Sequence, residues 1–298
     1  MRKFSIFTVI FTFMALILGN LVVATESGDA CGTGWPLCNG SLIPVFTDYH
    51  VVIEYSHRIF TTMLGVVILI NAVSAFVTNR QSKAVRRLSI LSFGLLILQS
   101  VIGGLNVLLG TPPGFSTFDV MFSQLLLLNM VLLSYSLHAS ESPVEPHHRE
   151  AVAMSYKAFT LGFVFYIFQT VLGAFFKHSR ASNVMLDVPA HEYLIKSESI
   201  ANVIYSLHWV ATVIVFVGAL WFLIYSMKFR YHLPLAWLYF IFILLNAAVG
   251  IIIVVTKNTV LMSSIHMIVS TMTMVIGGSI LGGYWFKLKK RKMNTKKV

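Results

Sequence analysis

Eight apolar stretches, each long enough at about 20 residues to cross a bilayer, constrain this chain more than any single residue does. Hydrocarbon offers no water to backbone N–H and C=O groups, so such a stretch crosses it as a helix whose hydrogen bonds close internally. The stretches fall near 4–23, 51–78, 88–109, 117–138, 158–176, 200–226, 234–255 and 260–286. With 57% hydrophobic and 11% charged residues and a mean hydropathy of +0.80, a soluble domain is excluded. The expected fold class is an all-α integral membrane protein with eight transmembrane helices.

The net charge of +11 would suit nucleic acid if it were clustered on one domain face. It is not. With loops assigned alternately, 17 of the 22 Lys and Arg fall on the side of the N-terminus, among them Arg2, Lys3, Arg86, Arg87 and seven in the tail from Lys287. The positive-inside rule then puts both termini in the cytoplasm, and no nucleic-acid partner is expected. The tail "KLKKRKMNTKKV" reads as an anchor near anionic lipid. Arg2 and Lys3 precede a first stretch too long for the core of a signal peptide and lacking an A-x-A-like cleavage site, so it is kept as a span.

Both cysteines, Cys31 and Cys38, lie in the first external loop, "CGTGWPLCNG". An oxidising face lets a disulfide persist, and Gly32, Gly34 and Pro36 let the short loop fold back. The pair reads either as a structural disulfide or as a redox-active one in a small exposed loop. The spacing is wrong for a zinc knuckle.

The chain repeats itself. "VIEYSHRIFT" (52–61) aligns with "VIYSLHWVAT" (203–212), setting His57 over His208, and "LQSVIG" (98–103) aligns with "LNAAVG" (245–250), setting Gln99 over Asn246. Offsets of 151 and 147 residues describe a duplicated unit of four helices, residues 1–150 and 151–298, hence two similar four-helix bundles. His57, His208 and His266 then lie at matched depth in the outer half of the bilayer, given a rise of about 1.5 Å per residue. An ionisable residue within a span is a functional-site hypothesis by default. Two imidazoles level with each other on parallel helices offer a neutral nitrogen to each face of a heme iron. His138, at a cytoplasmic boundary, and His147, His148, His178 and His191, in expected loops, are read as solvated.

The two units differ in ways that matter for chemistry. Counting from Gly250 to His266 and applying the same step from Gly103 reaches Asp119, so the first unit sets His57 opposite a carboxylate. Asp119 reads either as that counterpart or as an interfacial residue hydrogen-bonded near the outer surface. Glu54 and Arg58 are replaced by Tyr205 and Trp209 in the second unit. Glu54, three residues before His57, is a candidate to exchange protons beside whatever His57 holds, or else it pairs with Arg58 at i+4. Arg58 is placed to reach a heme propionate or the interface.

The cysteine loop, "EYSHR" at the head of the second span, "LQSVIGGLNVLLG" in the third, and the His-bearing sixth and eighth spans together resemble the heme A synthase family over nearly the whole chain. The resemblance implies an enzyme, an oxidoreductase that oxidises a methyl group of heme O to the formyl of heme A for cytochrome oxidases. It implies Glu54 as the catalytic glutamate, His57 as the ligand of the substrate heme iron, His208 and His266 as ligands of a heme b cofactor, and Cys31 with Cys38 as a disulfide. The fourth histidine of the family pattern is absent, with Asp119 in its place, and the loop after the fifth span lacks the second cysteine pair some members carry. A divergent, non-catalytic paralogue that holds heme b and carries electrons would keep the second unit and relax the first. Heme O synthase and a membrane quinone or other acceptor are expected partners, and a bacterial plasma membrane the expected location.

Overall fold

A computed structural model describes residues 1–34, 36–138, 149–190, 192–257 and 259–288; the side chains of 149–151 and 287–288 are not described. His147, His148, His191 and the basic tail from residue 289 lie outside the described residues.

Among the described residues, eight long helices and one short one follow in order: α1 (Arg2–Ala24), α2 (Tyr49–Thr78), α3 (Lys83–Leu108), α4 (Ser116–Leu137), α5 (Arg149–His178), α6 (Ala181–Leu186), α7 (Glu198–Phe229), α8 (Leu233–Val255) and α9 (Val260–Gly283). All but α6 are long and apolar enough to span a membrane, matching the eight stretches read from sequence. A single π-helical turn, Tyr284–Leu288, follows α9. The fifth span departs most from expectation: α5 begins at Arg149 rather than near 158 and runs to His178. His178 is therefore a half-buried helix terminus and not a solvated loop residue, and its carbonyl accepts the Gly114 N–H at 2.7 Å.

Polar caps set where several helices begin. The Asp48 carboxylate accepts the His50 N–H at 2.9 Å before α2, and Ser82, Ser197 and Thr259 cap α3, α7 and α9 in the same way. Each cap closes one of the amide donors a helix start leaves open.

In hydrocarbon, large apolar side chains gain nothing by turning inward, so helices meet through small and polar residues. The buried face of α1 carries Ser5, Thr8, Thr12, Ala15 and Asn20. In contrast Ile59, Met63, Val66, Ile70, Val73 and Val77 form an exposed stripe on α2. Asn129 on α4 donates to Ser92 Oγ at 2.8 Å and to the Leu88 carbonyl at 3.1 Å, joining α4 to α3. Gly162 on α5 and Gly218 on α7 face each other so closely that a methyl on Gly218 would stand 3.4 Å from the Gly162 Cα.

The packing partners fall into a regular scheme. α1 touches α2 and α4, and α3 touches α2 and α4; α5 touches α7 and α9, and α8 touches α7 and α9. The seam between these groups is centred on α4 against α9. There Gln124 donates to Thr271 Oγ1 at 3.0 Å, Gly278 receives Val131, and Gly282 receives Tyr135. Every one of these pairs joins residues 147 apart, the same step that relates Gln99 to Asn246. Contacts between residues one repeat apart are what a twofold axis running between two parallel helices produces.

Candidate functional site

One stripe of α2 is staked to the cysteine loop. Val51, Glu54, Tyr55 and Arg58 recur at intervals of three, one and three residues, which places them on a single helical face. Val51 packs against Cys31 and Cys38, which are joined in a disulfide and almost fully buried. The Tyr55 hydroxyl donates to the Leu42 carbonyl at 3.0 Å. Arg58 donates through Nη1 to the Leu37 carbonyl at 3.1 Å and through Nη2 to the Gly32 carbonyl at 3.0 Å. Gly32 holds φ +64° in the turn that presents that carbonyl, a conformation glycine adopts without strain.

Glu54 is 3% exposed. Its Oε2 accepts the Cys31 N–H at 2.6 Å, and its Oε1 pairs with Arg58. A carboxylate is tolerated at such a position because charge-assisted hydrogen bonds and a cation replace its lost hydration. The pairing at i+4 anticipated from sequence is thus present. The bond to Cys31, which ties this carboxylate to the disulfide, carries no sequence signal, because 23 residues separate donor and acceptor. Arg58 directs both Nη atoms to Glu54 and the loop carbonyls, and its buried Nε has no partner.

The equivalent stripe on α7 carries no charge. Tyr205 and Trp209 stand at the same i, i+4 spacing and meet edge to face, with ring centroids 6.3 Å apart. Only the first group of helices therefore offers a buried group able to exchange protons at this position.

The candidate ligands share a second feature, which sequence reading missed. Each faces a glycine on the neighbouring helix. A methyl on Gly19 of α1 would stand 3.2 Å from His57 Nε2, and one on Gly103 of α3 would stand 3.7 Å from Asp119 Oδ1. On the other side, a methyl on Gly173 of α5 would stand 2.9 Å from His208 Cε1, and one on Gly250 of α8 would stand 3.6 Å from His266 Cε1. All four candidates lie within the first three turns of their helices, at the end that faces the cysteine loop. A glycine opposite a bulky polar side chain leaves room for a ring between helices, which is a packing reason to find it there.

His208 and His266 have buried Nδ1 atoms without a hydrogen-bond partner. Each ring leans toward a backbone carbonyl one turn before its glycine, Gln169 for His208 and Asn246 for His266, without closing a hydrogen bond. The helices that carry them, α7 and α9, both pack against α5 and α8. Asp119 differs, because the Gln99 amide donates to its Oδ1 at 2.6 Å. Among the described residues no three His, Cys, Asp or Glu side chains converge in a manner that would cage a bare ion.

Unequal glycine clearances lead to a direct expectation. Gly173→Ala must displace the His208 ring, since 2.9 Å is closer than a real Cβ tolerates, whereas Gly250→Ala at 3.6 Å makes only ordinary contact with His266. Thermal unfolding of the two purified variants should therefore show Gly173→Ala destabilised and Gly250→Ala close to wild type.

Fold and site together define a class: a multi-pass helical membrane protein with histidines seated between its helices beside a disulfide-closed loop. A family model described as cytochrome oxidase assembly protein matches residues 2–276. The chain belongs to that family, the family of the heme A synthases. It is similar to the heme A synthase of Halalkalibacterium halodurans, 28% identical over 275 residues that cover 90% of this chain and 92% of that one. The heme A synthase of Alkalihalophilus pseudofirmus is 28% identical over 290 residues, 93% of this chain and 97% of that one. That of Bacillus cereus is 25% identical over 279 residues, 89% and 88%. Membership ties the protein to heme and to the assembly of cytochrome oxidase.

Proposed function

We propose that the protein is an oxidoreductase that converts heme O to heme A by oxidising a heme methyl group to a formyl, with a resident heme b on His208 and His266. The observation that carries this reading is the pairing of His208 and His266: two half-buried imidazoles at the same end of one group of helices, both seated on glycines and both with a buried, open Nδ1. Two nitrogens with no third protein ligand suit an iron whose remaining positions a macrocycle fills. The carbonyls of Gln169 and Asn246 stand where an Nδ1–H would donate, which would orient each Nε2 toward the metal. When bound, that heme supplies a one-electron carrier.

His57 takes the substrate heme in the first unit, with Asp119 across from it. Support for the equivalence of Asp119 and His266 is that both follow their facing glycine by 16 residues, 147 residues apart in the chain. With water as the source of the formyl oxygen, oxidising a methyl group releases protons as well as electrons, so the first unit needs a base. Glu54 serves as that base: it is buried, and Arg58 holds its carboxylate in place. The aromatic pair Tyr205 and Trp209 in the second unit has no such capacity, which supports the division of labour between units 1–150 and 151–298.

The basic residues support an orientation with both termini in the cytoplasm of a bacterium and the cysteine loop outside its plasma membrane. A membrane quinone or another acceptor outside the chain would take the electrons, and heme O synthase would supply the substrate. Extraction and chromatography of the hemes formed when the protein is supplied with heme O tests the reading. Heme A is expected, and heme O recovered unchanged beside an intact heme b would contradict it.

A further inference from the structure

α5 carries a cation without a counter-ion at the edge of the His208 and His266 site. Lys177 follows Gly173, the seat of the His208 ring, by four residues, so it lies on the same face of α5, about 6 Å further toward the helix end that faces the cysteine loop. Lys177 on α5 and His266 on α9 lie at the same end of two helices that pack against each other. The Lys177 side chain is half-buried, yet no hydrogen bond or ion pair holds it among the described residues. Its charged neighbour Arg180 is the same sign and is already paired, at 3.5 Å, with Glu26.

An ammonium carried on a half-buried side chain, with another cation beside it and no acidic partner, is placed to take an anion. We infer that Lys177 is the counter-ion for a propionate carboxylate of the heme held between His208 and His266. This rests on the proposed reading of that pair and adds to it which edge of the porphyrin faces out: the propionate edge points along α5 toward the cysteine-loop face, one turn beyond the glycine under His208. In the first unit Arg58 gives both Nη atoms to Glu54 and the loop carbonyls and leaves only Nε open.

The test uses full-length, detergent-purified protein made without heme and titrated with iron protoporphyrin IX or with its dimethyl ester, in which both propionates are blocked. Wild type should bind the free acid about tenfold more tightly than the ester, the worth of one charged hydrogen bond. Lys177→Gln should abolish that preference by weakening only the free acid, while the spectrum of two axial imidazoles is retained, and Lys177→Arg should restore the preference. Equal binding of acid and ester by wild type overturns the assignment without any variant. So does an undiminished preference in Lys177→Gln, the result expected if the ammonium instead pairs with a lipid phosphate. If neither porphyrin takes on the spectrum of iron with two axial imidazoles, the reading of His208 and His266 fails as well.

Discussion

His208→Ala and His266→Ala should each lose most of the heme b that copurifies with the protein, whereas His57→Ala should retain it. The expectation follows from the proposed ligation: with two axial protein ligands, deleting one removes half of the set, and among the described residues no group of three His, Cys, Asp or Glu side chains gathers to supply another. Fixing a ligand's orientation alone is worth about 10- to 100-fold in metal affinity, so losing the ligand itself should cost at least as much. Pyridine hemochrome content per protein measures the effect. Heme b lost from His57→Ala but kept in His208→Ala would show that the two units exchange roles.

The second large effect concerns Glu54. Glu54→Gln keeps a carbonyl oxygen able to accept the Cys31 N–H but cannot take up a proton. Conversion of heme O to heme A should fall about 100-fold or more in this variant, the range expected when a general base is removed, with heme b content unchanged. Arg58→Ala separates chemistry from scaffolding. It leaves the Glu54 carboxyl buried without its cation and releases two loop carbonyls, Gly32 and Leu37, a loss of about 3–5 kcal/mol for a broken buried pair. Limited proteolysis should then cut the cysteine loop faster in Arg58→Ala than in Glu54→Gln. Heme A formed at the wild-type rate by Glu54→Gln would remove this residue from the proton path.

Much of this was legible in the chain before any coordinates. Spans announce themselves because each needs about 20 apolar residues, and a half-buried soluble helix leaves no such mark. The offset of 147 was visible in "LQSVIG" and "LNAAVG", and it reappears where Gln124 meets Thr271 and Val131 meets Gly278. The pairing of Glu54 with Arg58 was readable because i+4 neighbours on a helix are fixed by its pitch.

What escaped the sequence depends on contacts between distant segments. The short helix α6 sits in a loop whose composition gives no helical period. No local pattern announces that Glu54 holds the Cys31 amide, since the loop must first fold back over α2. The glycines under the four candidate ligands look like ordinary span glycines until the neighbouring helix is in place. The span expected over 158–176 leaves Lys177 in a loop; α5 runs two residues further, to His178, and puts it one turn above Gly173.

The absorption spectrum of the purified, detergent-solubilised protein bears most directly on the pairing of His208 with His266. A Soret band with the sharp reduced α-band of iron held by two imidazoles is the result this account requires, and a colourless protein from heme-replete cells would contradict it.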